Sequence, residues 1–177
     1  ELIEQDLAAI SAALADLARR YRDTPMAGRS NLQQAVPVSF GYKMAGLLSA
    51  IERHRERLAQ LKPRVLVGEF GGAAGTLASL EKGALETQEG LMRELGLAQP
   101  LIAWHTQRDG IAEVGCFLGL LGGTLGKLSM DVKLLMQTEV GEVFEPFAHG
   151  RGSSSTMPQK RNPISSCYIH GAISVVR

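Results

Sequence analysis

Apolar residues recur along this chain at alternating steps of three and four, the spacing that collects them on one face of an α-helix. In the opening segment Ile3, Leu7, Ile10, Leu14, Leu17 and Tyr21 form such a stripe, with Glu, Asp and Arg between them. A stripe of this width must be covered by other helices while the charged face stays wet. No Ser, Thr, Asp or Asn precedes Glu1 to hold the free amides of a first turn, so the helix is expected to begin upstream and the chain to be part of a longer one. A second stripe follows Pro37, through Phe40, Met44, Leu47, Ile51, Leu58 and Leu61. Pro63 is expected to close it, because proline offers no amide and disfavours helix before it. His54 fills a position of this stripe and reads as a core histidine with a hydrogen-bonded ring, in preference to a catalytic one.

Between Gly68 and Thr76 the string GEFGGAAGT breaks the periodicity and reads as a loop or tight helix entry. An interrupted helical pattern then runs from Leu77 to Leu95, with Gly96 as its C-cap and Leu97 folding back. Asp109 is the expected N-cap of the longest helix, carrying Val114, Phe117, Leu118, Leu121, Leu125, Leu128, Val132 and Leu135 to about Thr138. Glycines at 115, 119, 122, 123 and 126 each weaken that helix by about 1 kcal/mol relative to Ala, and close packing against neighbours is the expected compensation. No strand-period alternation bounded by turns is visible, so the expected fold is all-α: one domain over residues 1–177 built as a long-helix bundle.

Composition narrows the function. With 45% hydrophobic residues the chain can build a core. Nineteen Lys and Arg against 18 Asp and Glu give a formal charge of +1, without the basic excess that nucleic-acid binding requires. The uncharged stretch from Val114 to Gly126 falls short of the roughly 20 apolar residues of a membrane span, so no membrane is expected. Cys116 and Cys167 cannot form a disulfide framework, lack zinc spacing and read as packing residues, which points to a cytoplasmic protein without a metal.

One stretch does not read as packing. Residues 141–162, GEVFEPFAHGRGSSSTMPQKRN, are polar and glycine-rich, and a loop of this length inside a compact helical domain is ordinarily functional or disordered, with composition alone favouring disorder and the contents favouring function. Three serines, a threonine, Lys160 and Asn162 gather just before Pro163, a favoured first residue of a helix, with Asn162 expected at the N-cap. A helix start offers free amides and the positive end of a dipole, so an anion such as a carboxylate is expected there, with Lys160 supplying a full charge. Neither the Walker phosphate loop nor a dinucleotide glycine fingerprint fits the glycines of this chain, whereas a Ser-Lys hydrolase remains an alternative for GSSS followed by a lysine.

The string SSTMPQKRNP resembles the signature loop of the fumarase/aspartase superfamily, G-S-S-x-M-P-x-K-x-N-P. GRSNLQQAVPVSFG, FGGAAGT, WHTQRD and QTEVGEVFEPF resemble other segments of that family in the same order, so the likeness covers nearly the whole chain. The resemblance implies a cofactor-free enzyme of elimination or its reverse next to a carboxylate, a small carboxylate substrate, and a homotetramer with active sites built from several subunits. Neither the family's Thr-Ser-x-Asp segment nor its C-terminal domain is found, so the chain is expected to be the central portion. Carried over by position, Ser154 is the proton-abstracting base, and Lys160 and Asn162 hold the substrate carboxylate and stabilise the carbanion. Ser155, Thr156 and Met157 shape the loop and line the substrate, and Thr106 and Gln107 reach it from another segment.

Departures from the family pattern indicate a branch. Asn31 stands where most members place an acid histidine, and Cys167 where they place its glutamate partner. This double absence, with WHTQRD and LLMQTEVGEVFEP, resembles the 3-carboxy-cis,cis-muconate cycloisomerases of protocatechuate catabolism, the β-ketoadipate route for aromatic compounds. Gln34, where that branch tends to carry histidine, and Ser153, in place of the glycine before the serine pair, depart from it. The alternatives are an adenylosuccinate lyase-type elimination that releases fumarate, and a non-catalytic helical oligomerisation module whose loop is merely solvated.

Overall fold

A computed structural model describes residues 1–147 and 152–176 of the chain. Five helices carry most of it: α1 (Leu2–Arg20), α2 (Phe40–Val65), α3 (Ala84–Leu95), α4 (Asp109–Leu135) and α5 (Ile164–Val176). A hairpin of β1 (Pro25–Ser30) and β2 (Gln33–Ser39) stands between α1 and α2, and a short 3-10 turn, Ala78–Leu80, precedes α3. The chain divides into two compact units, Glu1–Arg55 with Leu118–Arg177, and Glu56–Phe117.

In the first unit the apolar stripes form the core as their spacing predicts. Leu7, Leu14, Met44, Leu47, Ile51, Leu135 and Met136 are buried, and His54 is only 3% exposed. The His54 ring nitrogen Nε2 lies 2.8 Å from the Thr124 hydroxyl, so this histidine is a hydrogen-bonded core residue. The Ser11 hydroxyl, also buried, donates to the Glu52 carboxylate, which the Arg55 guanidinium holds from the other side. Gly41 of α2 lies close against the end of α1 and the turn after it: a Cβ there would stand 2.5 Å from the Ala18 carbonyl oxygen and 2.6 Å from Arg22 Cα. Its amide donates to the Tyr21 carbonyl at 2.9 Å, and Phe40 meets Tyr21 edge to face.

The hairpin is the element that the periodicity did not predict. Ser30 pairs with Gln33, so Asn31 and Leu32 alone make the turn, with φ of 50° and 61°. Left-handed backbone at both central residues defines the tight turn that matches strand twist; Asn tolerates it readily, Leu does not. Most of β2 is exposed, so neither strand shows the alternation of a half-buried sheet. The all-α expectation holds for the bulk of the chain, with this ribbon as an addition.

The glycines of α4 divide. A Cβ on Gly126 or Gly122 would touch Ile173 of α5, at 3.4 Å and 3.9 Å, so these two give close packing as expected. Gly115, Gly119 and Gly123 meet nothing within 4 Å among the described residues. Helix α4 is long and apolar enough, by length and composition alone, to cross a bilayer, as core helices of soluble bundles also are. Cys116 and Cys167, expected to pack, are exposed.

The second unit buries Leu61, Leu77, Met92 and Phe117. Helix α2 runs two residues past Pro63, which sits in its last turn. Gly96 ends α3 with φ of 66°, and the Leu97 amide folds back to the Met92 carbonyl at 2.9 Å, the C-cap read from sequence. At the start of α4 the Arg108 carbonyl accepts the first helical bond, from Ala112, so Asp109 is the first helical residue, one step inside its expected cap position.

Gly41→Ala should destabilise the full-length protein by about 1–3 kcal/mol, the usual cost of overpacking, because the added methyl meets backbone atoms that cannot rotate away. Urea unfolding followed by circular dichroism measures this; an unchanged midpoint would contradict the close approach of α1 and α2.

Candidate active site

Among the described residues the signature loop is tied at its base by four interactions, all in the first unit. The Asn162 amide donates to the Gly152 carbonyl at 2.9 Å, and Ser153 and Arg161 form an antiparallel bridge. The Arg161 guanidinium lies 4.9 Å from the centre of the Phe147 ring, within cation–π range. Gly152 has φ of 74°, and a Cβ there would lie 2.8 Å from the Asn162 carbonyl, so only glycine fits this crossing. The fourth tie is Glu145. Its carboxylate accepts the Ser165 amide at 2.9 Å, the Ser166 amide at 2.8 Å and the Ser166 hydroxyl at 2.7 Å.

Glu145 revises the expected anion site. A helix start leaves its first amides unpaired, and those of α5 are all engaged within the chain: Ile164 by the Asn162 carbonyl, Ser165 and Ser166 by Glu145, and Cys167 by the Pro163 carbonyl. Asn162 is therefore not the N-cap, and the anion at this helix start is the protein's own carboxylate. Partial burial works to raise the Glu145 proton affinity, but the donors from Ser166 and Ser165 outweigh it, and the carboxyl titrates below its ordinary range. Sequence reading missed Glu145 because it lies 20 residues from its partners with no local signature.

Within the loop the important group is Ser154. The residue is half-buried, its Oγ accepts the Met157 amide at 3.1 Å and the Thr156 amide at 3.3 Å, and the Lys160 amide donates to the Met157 carbonyl at 3.0 Å. Two backbone donors thus converge on the oxygen that would carry charge if Ser154 gave up its proton. Ser155, Thr156, Met157 and Lys160 are exposed in this chain, and the Lys160 ammonium has no hydrogen-bond partner among the described residues. Ser154, Thr156 and Met157 are thus joined in one turn with Lys160 and Asn162 close in sequence, whereas Thr106 and Gln107 belong to the second unit, both exposed, with their side chains 3.4 Å apart.

A cleft of about 680 Å³ in the first unit runs along the hairpin and the end of α4, past Arg29, Asn31, Tyr42, Lys43, Asp131 and Gln137. Its cations are matched by anions. Arg29 grips Glu142 through two bonds of 2.8 Å and 2.7 Å, which holds the Glu142 carboxyl below its ordinary range and raises the guanidinium. Lys43 lies 3.1 Å from Asp131, which Lys127 also reaches at 2.5 Å. Asn31, where the resemblance expects an acid histidine, stands exposed at the hairpin turn, and Cys167 is exposed on α5.

The family model described as lyase matches residues 1–177. The chain belongs to this lyase family. Its fold is that of the fumarase/aspartase superfamily, as the signature loop implied. A 3-carboxy-cis,cis-muconate cycloisomerase of Pseudomonas aeruginosa is 58% identical over 171 residues, covering 97% of this chain and 37% of that protein. A trans-aconitate decarboxylase of Mycosarcoma maydis is 56% identical over 176 residues, covering 99% of this chain and 36% of its own length. The crystal structure of the 3-carboxy-cis,cis-muconate lactonizing enzyme of Pseudomonas putida superposes with a TM-score of 0.90 at 48% identity, covering 99% of this chain and 38% of that one. The chain therefore spans a little over a third of the length of these relatives.

Glu145→Gln should lower stability by about 1–2 kcal/mol at neutral pH, the scale of a lost helix cap. The sign with pH follows from the depressed folded value: the wild-type contribution is full above the ordinary carboxylate range and disappears as pH falls through the Glu145 titration. Urea midpoints of wild type and variant should converge in acid. A gap that stays constant with pH would contradict the role of Glu145 as a charged cap.

Proposed function

We propose that the full-length protein is a cytoplasmic, cofactor-free cycloisomerase that closes 3-carboxy-cis,cis-muconate to a carboxymuconolactone in protocatechuate catabolism. In this reading the chain is the central helical-bundle domain of a homotetramer whose active sites draw on several subunits. One carboxylate of the substrate adds across a double bond, a C–O bond forms, and the π pair moves to the carbon beside another carboxylate. That carbanion takes the Ser154 proton, and the serine oxygen regains one from water.

The observation that carries this reading is the convergence of the Thr156 and Met157 amides on Ser154 Oγ. A serine hydroxyl is a poor acid or base unless its alkoxide is stabilised, and preorganised donors at the charged atom are the strongest means of doing so. Lys160 and Asn162 are assigned to the substrate carboxylate, with Ser155, Thr106 and Gln107 lining it.

The residues at positions 31 and 167 favour this reaction over the adenylosuccinate type. In an elimination that expels an amine, the leaving nitrogen must be protonated, so an acid is needed opposite the base. In lactone formation and its reverse the group added or expelled is a carboxylate, already stable as an anion. Asn31 and Cys167 in place of an acid and its partner are consistent with that chemistry. Loss of carbon dioxide from a tricarboxylate, the reaction named for the relative of Mycosarcoma maydis, likewise leaves a carbanion to protonate, and it stands as the second reading.

The test offers three substrates to the full-length protein: 3-carboxy-cis,cis-muconate, trans-aconitate and adenylosuccinate. Lactone formation from the first is expected, with kcat falling by roughly 10²–10⁴ in Ser154→Ala while the oligomer persists. Release of carbon dioxide from the second or fumarate from the third would replace the proposed reaction. Retained turnover in Ser154→Ala would remove that serine from the mechanism.

A further inference from the structure

The segment that leads into the signature loop is held from the hairpin, within the first unit. Arg29 on β1 and Glu142, 113 residues later, meet through two parallel bonds of 2.8 Å and 2.7 Å. The two side chains are only 22% and 27% exposed, and a fork of two N–H groups on two carboxylate oxygens fixes direction as well as distance. Lys43 adds to the positive field at Glu142, while its own ammonium is paired with Asp131 at 3.1 Å. Both partners are mounted on fixed backbone. A register shift between Ala27 and Arg29 bulges β1, a device that re-aims a side chain, and a Cβ on Gly28 at this place would stand 2.6 Å from the Val36 carbonyl oxygen. Strand β2 runs directly into α2, whose Gly41 amide is bonded to the Tyr21 carbonyl. On the other side the Glu142 amide donates to the Leu135 carbonyl at 2.9 Å, which wraps Glu142 against the end of α4. Glu145, the cap of α5, stands three residues on. Three residues span at most about 10 Å, so Glu142 cannot move far without moving Glu145.

We propose that the Arg29–Glu142 pair is a positioning device for the reaction: it sets the approach of the signature loop and, through Glu145, the placement of Ser154. The part played by Ser154 rests on the proposed function. Neither Arg29 nor Glu142 is assigned a contact with substrate, and the expected signature is a split between the kinetic constants. Ser154 carries its oxygen on a single carbon and cannot follow a displaced target, whereas Lys160 has a flexible four-carbon stem and keeps its hold on a carboxylate. A misplacement near 1 Å is expected to lower kcat by roughly 10–10²-fold and to leave KM little changed.

Kinetics of the full-length protein with 3-carboxy-cis,cis-muconate test this, at a temperature where circular dichroism shows the variants folded. In Arg29→Ala, Glu142→Ala and the double variant, kcat should fall by one common factor of at least about tenfold, with KM within about threefold. Arg29→Lys, which keeps the charge but loses the fork, should recover part of that loss. Gly41→Ala, which weakens the same unit elsewhere, should keep wild-type kcat. Wild-type kcat in Glu142→Ala, losses that multiply in the double variant, or an equal loss in Gly41→Ala would overturn the proposal. Where the alanine variants do not fold, Arg29→Lys is compared with wild type, and an unchanged kcat would overturn it.

A second readout, amide hydrogen exchange, needs no turnover. The Thr156, Met157, Lys160 and Asn162 amides should exchange at least about fivefold faster in Glu142→Ala, with the amides of α1 within about twofold of wild type. Unchanged exchange in the loop, or an equal rise along α1, would overturn the proposal. Faster loop exchange in a protein that forms no lactone would keep the hold of Arg29 and Glu142 on the loop and discard the proposed reaction, so the two ideas fail separately.

Discussion

The grip of the Glu145 carboxylate on the first amides of α5 is the interaction on which the candidate site depends. It satisfies donors that every helix start leaves open, and it fixes where the chain stands on either side of residues 146 to 163. With the loop base held there, and again where Asn162 meets Gly152, the serine-rich turn between them becomes a defined structure. Its two inward amides then have one oxygen to serve, that of Ser154.

This division of labour separates two anions that sequence alone would merge. The amides at the start of α5 are taken by a residue of the protein, so in the proposed reaction the charge that builds up is assigned to the turn and to Lys160. Preorganisation of that kind is effective because the donors are already oriented and need not reorganise as charge moves. Under the proposed reaction Asn31 and Cys167 fit the same economy, since a carboxylate that comes and goes as an anion asks for no partner acid.

Much of this was legible in the sequence where structure follows period. The stripes of α1 and α2, the Gly96 cap and the core character of His54 all come from spacing and one-residue rules, and they are where the reading placed them. The signature SSTMPQKRNP carried the family, and with it the fold. The β1–β2 hairpin was not legible because a ribbon exposed along most of one strand has no apolar alternation; its one clue, Asn31 at a tight turn, is weak beside Leu32 in a conformation leucine avoids. Glu145 was hidden for another reason: its partners begin 20 residues away, and only folding brings them together. Gly115, Gly119 and Gly123 meet no neighbour among the described residues, so close packing of that kind does not account for them there.

The central claim is that the Ser154 turn holds the proton and the charge of the reaction. A crystal structure of the assembled full-length protein with a bound tricarboxylate analogue measures it most directly, through the distance from Ser154 Oγ to the substrate carbon that is protonated. The account predicts about 3–3.5 Å, with the Thr156 and Met157 amides still on that oxygen. A ligand bound elsewhere, with the turn facing bulk solvent, would contradict it.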